Sequence, residues 1–157
     1  MAAKIPSLYR LVFLYLEPLS IFVGAVYAHF LQPTYLHLTH AASAPRATVP
    51  ISTSIVLSQL ANLYLGLGLL EACVLRATSD RHVWRTFLAI LLLADFGHLY
   101  SVAPVGRGVY WEYWTWNSID WGNVGAVYLL ALTRTLFLCG VGFRGPAAVD
   151  ARSKRKA

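Results

Sequence analysis

Asp95 and His98 stand three residues apart inside LLLADFGHLYSVAP (91–104), an otherwise apolar run. On a helix that spacing puts both side chains on one face. Burial disfavours the charged form of a carboxyl unless a cation sits close. A neutral acid can donate a proton at neutral pH, and a neighbouring imidazole can orient it or act as base. Glu17, in the apolar run near the start of the chain, offers a second acid or an electrostatic stabiliser. Aromatic rings around such groups would stabilise a developing carbocation. This set suits proton-driven isomerisation, cyclisation or epoxide opening of a lipid-like substrate. Asp95 is then the expected general acid and His98 its orienting or basic partner.

Other chemistries fit less well. Ser101 lies near His98, but nothing resembles a nucleophile elbow. His29, His37 and His40 match no metal-ligand spacing. There is no Gly-rich phosphate loop or nucleotide motif, so neither a metal nor a cofactor is expected. Cys73 and Cys139 both fall inside apolar segments and read as small apolar core residues, with one bridge at most between them.

The elements that carry these residues follow from composition. The chain has 157 residues, of which 57% are hydrophobic and 13% charged, and its mean hydropathy is +0.55. A soluble domain of this size has too high a surface-to-volume ratio to hide so much apolar surface; a bilayer hides it readily. Spanning the hydrocarbon takes roughly 20 apolar residues, and four windows qualify: 8–30, 51–75, 83–102 and 121–143. The expected fold is therefore all-α, a single four-helix membrane domain over 1–145 with a disordered basic tail at 146–157. The segments QPTYLHLTHAASAPRATVP, RATSDRH and APVGRGVYWEYWTWNSID separate the spans as loops.

Charge orients this map. Lys4 and Arg10, then Arg76, Arg81 and Arg85, then Arg144, Arg152, Lys154, Arg155 and Lys156 fall on one side of the bilayer. Only Arg46 and Arg107 fall on the other, and Arg134 lies within the fourth span. By the positive-inside bias both termini are expected in the cytosol. The net charge of +6 is explained by this topology and anchoring to anionic headgroups, so no nucleic-acid partner is expected. Glu17-Pro18 and the lack of a small-x-small cleavage site favour a retained first helix over a signal peptide. The tail ARSKRKA resembles a dilysine-type retrieval signal, which would place the protein in the endoplasmic reticulum.

Helical spacing then predicts where the polar groups point. Glu17, Ser20, Gly24 and Ala28 form one stripe; Gln59, Asn62 and Gly66 a second; Asp95 and His98 a third; Asp120, Asn123, Val127 and Arg134 a fourth. The simplest packing turns all four inward. The small residues of the first stripe let a neighbouring helix come close, and Pro18 frees the carbonyl of Leu14. A charge at mid-bilayer costs about 2.5–3.5 kcal/mol, whereas interhelical hydrogen bonds there average only about 0.6 kcal/mol. Pairing of Glu17 with Arg134 and of Asp95 with His98 would explain tolerance better than purpose. Glu71 falls near the cytosolic end, where Arg76 or Arg81 is expected to neutralise it. Gln59, Asn62, Asn117, Asp120, Asn123 and Arg134 are the expected substrate-positioning groups. Trp116 and Trp121 would close the mouth of the cavity or sit in an interfacial aromatic belt.

EPLSIFVGAVYAHFLQP (17–33), LADFGHLYS (93–101) and WNSIDWGNVG (116–125) resemble the signature blocks of a fungal family of small four-helix membrane proteins of unknown function. Some of those are encoded near secondary-metabolite pathways. That resemblance implies an integral membrane protein and names no reaction. The layout is more distantly similar to the emopamil-binding superfamily of sterol isomerases and sigma-2-type receptors. Asp-x-x-His at 95–98 stands in place of the His-x-x-x-Glu segment of the isomerases, so no catalytic assignment carries over. The expected partners are the bilayer and a small lipophilic ligand or substrate of terpenoid, sterol or polyketide type. A non-catalytic lipid binder or scaffold is the alternative. A transporter built from four spans would need an oligomer, and a homodimer is allowed for.

Overall fold

A computed structural model of the chain describes residues 5–143; the basic tail expected at 146–157 lies outside them. The described residues are all helix and loop, with no strand. Five helices follow in order: α1 (Ser7–Phe30), α2 (Gln32–His40), α3 (Ile51–Ala77), α4 (Arg81–Ser101) and α5 (118–138). Ser7–Phe30, Ile51–Ala77 and Arg81–Val105 are long and apolar enough to cross a membrane. The fourth expected span, 121–143, is helical as far as Leu138, but it carries Asn123 and Arg134 within its length, and it is not among those three.

Local chemistry sets the boundaries. Leu31, at φ −120° and ψ 38°, breaks α1 from α2. Pro33 then sits in the first turn of α2, where its missing N–H costs nothing. The segment read as loop chemistry after the first span thus contains a nine-residue helix. The Asp80 side chain accepts from His82 N at 2.7 Å and caps α4. Asn117 and Asp120 form a capping box at the start of α5. Gly140, at φ +79°, ends α5 in a Schellman arrangement: Val141 N donates to Leu136 O and Gly140 N to Phe137 O.

Two stretches widen into π-type turns, Val12–Leu16 in α1 and Trp121–Ala126 in α5. The first precedes Glu17-Pro18. Pro18 has no N–H to give the Leu14 carbonyl, and Arg76 of α3 supplies the missing donor through Nη2.

α1 packs on α3 through its Glu17–Phe30 segment, and α4 packs on α5. The first contact is close because the residues are small. A Cβ on Gly68 would sit 3.2 Å from Ile21 Cγ2, and one on Gly24 would meet the Tyr64 ring at 3.6 Å. Tyr9, Phe13, Leu14, Leu75, Trp84, Leu88 and Phe137 form one core at the end where both described termini lie. Ala25, Ala28, Tyr35, Leu57 and Ala61 form a second at the other end. The polar groups lie between the two.

Candidate functional site

Arg134 is the centre of the arrangement. It is 1% exposed, on the face of α5 turned to α1 and α4. Its Nη2 donates to Glu17 Oε1 on α1, and its Nη1 to Asp95 Oδ2 on α4. The fork of a guanidinium suits two carboxylates on different elements, since its donors hold fixed directions. Below it lies the Phe13 ring, 5.8 Å from the guanidinium carbon. The expected Glu17–Arg134 pair is present. The expected Asp95–His98 pair is replaced: Asp95 accepts from Arg134, whose permanent charge compensates a buried carboxylate better than an imidazole that burial keeps neutral. His98 approaches Asn123 of α5 instead, and its Nε2 is buried without a partner among the described residues.

Above this ion triad is a cavity of about 550 Å³ between the α1–α3 pair and the α4–α5 pair, a volume suited to a small ligand. Glu17, Asp95, His98, Asn123 and Arg134 all line it. Its walls are otherwise mostly apolar or aromatic, including Tyr27, Tyr35, Tyr64, Leu67, Val127 and Leu130. Leu16, Leu19 and Val23 line the same space and are 51%, 61% and 47% exposed, so the cavity opens sideways along α1.

The remaining expected site residues lie elsewhere. Gln59 and Asn62 are exposed and border a shallow groove with Ser54, Ile55 and Ser58. The expectation that α3 turns its amides inward is therefore corrected. The inward face is Leu57, Ala61, Gly68, Ala72 and Leu75, whose small members allow the close contact with α1. Asn117 accepts from Ile119 N and Asp120 N, and its Nδ2 reaches Leu38 O at 2.8 Å. Asp120 returns the cap by accepting from Asn117 N. Both start α5 and do not line the cavity. Trp116 and Trp121 meet edge to face at 5.0 Å, and Trp116 Nε1 donates to Val109 O. Their rings fold over Gly125, where a Cβ would come within 2.7 Å of Trp121. They too lie outside the cavity lining.

Glu71 is the group whose place the spacing rule missed. It is fully buried, and neither carboxyl oxygen has a partner among the described residues. Arg76 and Arg81 do not neutralise it: Arg76 serves the carbonyls of Leu14 and Ala72, and Arg81 stacks over the Phe143 ring at 4.0 Å. Glu71 lies beside Glu17, whose Oε2 is likewise unpartnered. The signal was present in the chain, since Glu71 shares the i, i+3, i+4 stripe of Tyr64, Gly68 and Leu75.

A family model for a domain of unknown function, DUF7704, matches residues 2–144, and the chain belongs to that family. No curated protein and no solved structure shows significant similarity to it.

Proposed function

We propose that this DUF7704 protein is a four-span membrane protein of the endoplasmic reticulum with cytosolic termini. Its cavity takes a lipophilic small molecule and moves a proton on it. One observation carries the reading: an apolar-walled space, open sideways along α1, has Glu17, Asp95, Arg134 and His98 together at its wall. A ligand entering along Leu16, Leu19 and Val23 leaves the hydrocarbon without crossing water.

The roles follow from hydrogen bonding. His98 Nε2 is buried, has no partner among the described residues and belongs to a lining residue, so His98 is the proton-transferring group. Asp95 was expected as the acid. A carboxyl that accepts from Arg134 through Oδ2 is better suited to stabilise positive charge on the ligand than to release a proton. Glu17 reinforces that field from α1. Asn123 positions the imidazole. A proton delivered at one ligand atom and removed from another changes neither composition nor oxidation state. The reaction class is then isomerisation or ring closure. The resemblance to fungal proteins encoded near secondary-metabolite pathways supports a terpenoid, sterol or polyketide ligand. The layout shared with the emopamil-binding superfamily supports a lipid-accessible cavity.

A second reading, a non-catalytic lipid binder, is favoured by one observation: Arg134 already engages both acids, so the polar floor is paired without a substrate. Deletion in the native host, followed by untargeted lipid and metabolite profiling, separates the two. A precursor should accumulate, and wild type but not His98→Gln should clear it. An unchanged profile in the deletion strain overturns the catalytic reading.

A further inference from the structure

The face of α3 opposite the cavity presents a different problem. Gln59 and Asn62 are exposed, as is Gly66 one turn further on. The helix has 27 residues, roughly 40 Å at 1.5 Å per residue, against a hydrocarbon core of about 30 Å. Asn62 stands two residues from the middle of the element, so in a bilayer it sits near mid-depth. Its amide and that of Gln59 hydrogen-bond to nothing among the described residues, whereas Ser54 O and Ser58 Oγ nearby are served by Gln32 Nε2. Two free amides on a lipid-facing helix need donors and acceptors that hydrocarbon does not have.

We propose that this face is the interface with a second copy of the chain, the two α3 helices crossing about a two-fold axis along the membrane normal. The proposal rests on the membrane reading of α3 and is independent of any ligand or reaction. Three features favour a second copy over a foreign helix. An amide carries both donor and acceptor, so Asn62 and its symmetry mate satisfy each other, as do the two Gln59 side chains across the crossing. Depth is matched automatically, because both copies insert alike; a foreign helix would need an amide at the same level. The face also holds no charge that would select a partner of opposite sign. Gly66 faces open space in the monomer, where a Cβ would meet no atom within 4 Å; its lack of a side chain would let two backbones approach, and small residues at such crossings are the usual means of close contact in membranes. Ile55 and Leu63, 53% and 68% exposed, flank the amides and would pack around them. The cavity lies on the other side of α3, at Tyr64 and Leu67, so each copy keeps its own lateral opening.

Cys73 and Cys139 are both exposed, which corrects the expectation that they are core residues; Cys73 lies seven residues beyond Gly66 on the same stripe, near the end of α3, which makes it a native reporter. The test uses full-length Cys139→Ser protein in lipid vesicles, with a thiol-specific cross-linker and single-molecule photobleaching over a dilution series. The expected result is a covalent dimer through Cys73 and two-step bleaching. Gln59→Leu with Asn62→Leu should raise the dimer dissociation constant about tenfold. Gly66→Leu should abolish cross-linking. Both variants should match wild type in thermal unfolding at high dilution, because Gln59 and Asn62 are exposed in the monomer and a side chain added at Gly66 meets open space. A monomeric wild type throughout the series overturns the proposal, as does a double variant that dimerises like wild type.

Discussion

Asp95 is held by Arg134, 39 positions further along the chain, and not by His98 on its own helix. That single bond joins α4 to α5, and the companion bond from Arg134 to Glu17 brings in α1. Three of the helices therefore meet at one buried guanidinium.

Arg134→Met should be the most damaging single change in the polar cluster. It leaves Glu17 and Asp95 buried beside each other with no cation, a loss of about 3–5 kcal/mol for breaking a buried ion pair. Replacing the set together, with Glu17→Gln, Asp95→Asn and Arg134→Met, removes the unpaired charges and should recover most of that loss. Thermal unfolding in detergent micelles measures both. If Arg134→Met alone unfolds like wild type, the cluster does not hold the helices together.

Glu71 completes the same cluster from α3. Its oxygens and Glu17 Oε2 lack partners among the described residues, and one proton held between the two carboxyls would satisfy atoms on both. Glu71→Gln keeps a donor toward Glu17 and should destabilise much less than removal of that donor. Glu71→Leu removes the donor and should cost about 1–3 kcal/mol, the penalty of an unsatisfied buried group. Infrared spectra give an independent reading: the carbonyl band of a protonated carboxylic acid should be present in wild type and lost in Glu71→Gln. A band unchanged by that substitution places the proton elsewhere.

How much of this was visible in the chain depends on which helix is asked. The Glu17–Arg134 pair follows from depth and from the small-residue stripe on α1, because close packing and a buried charge demand the same inward face. The freed Leu14 carbonyl follows from Pro18 alone. α3 resisted the same reasoning because it carries polar groups on two opposite faces: Gln59 and Asn62 on one, Glu71 on the other. A stripe rule cannot choose between them. Ala61, Gly68 and Ala72 decided the rotation by letting α1 approach. α2 was hidden by Pro33, which reads as a breaker although it stands where a helix tolerates proline. Asn117 and Asp120 read as site residues because a capping box uses the same residue types as a polar cavity.

The lateral opening gives a kinetic prediction. Val23 lines the cavity and is 47% exposed, so Val23→Trp would narrow the entrance without filling the protein interior. The expected outcome is slower uptake of a fluorescent sterol or fatty-alcohol probe, with thermal stability unchanged. Leu93→Trp, at a position 72% exposed and outside the cavity lining, serves as the control and should leave uptake alone. Equal slowing by both changes would assign the effect to the bilayer surface.

The Arg76–Leu14 bond supports a double-mutant cycle. Arg76 Nη2 donates to the carbonyl that Pro18 leaves without a helical partner, and the guanidinium also lies over the Tyr15 ring at 5.1 Å. Arg76→Ala should cost about 1.5–3 kcal/mol, the range for a hydrogen bond from a charged group. In a Pro18→Ala background residue 18 regains an N–H that can return to Leu14 O, as an ordinary helix would provide. There the cost of Arg76→Ala should fall by about 1 kcal/mol or more, and the two changes should be non-additive by that amount. Additive effects would show that Arg76 stabilises α1 through Tyr15 alone and that the proline-freed carbonyl is satisfied by other means.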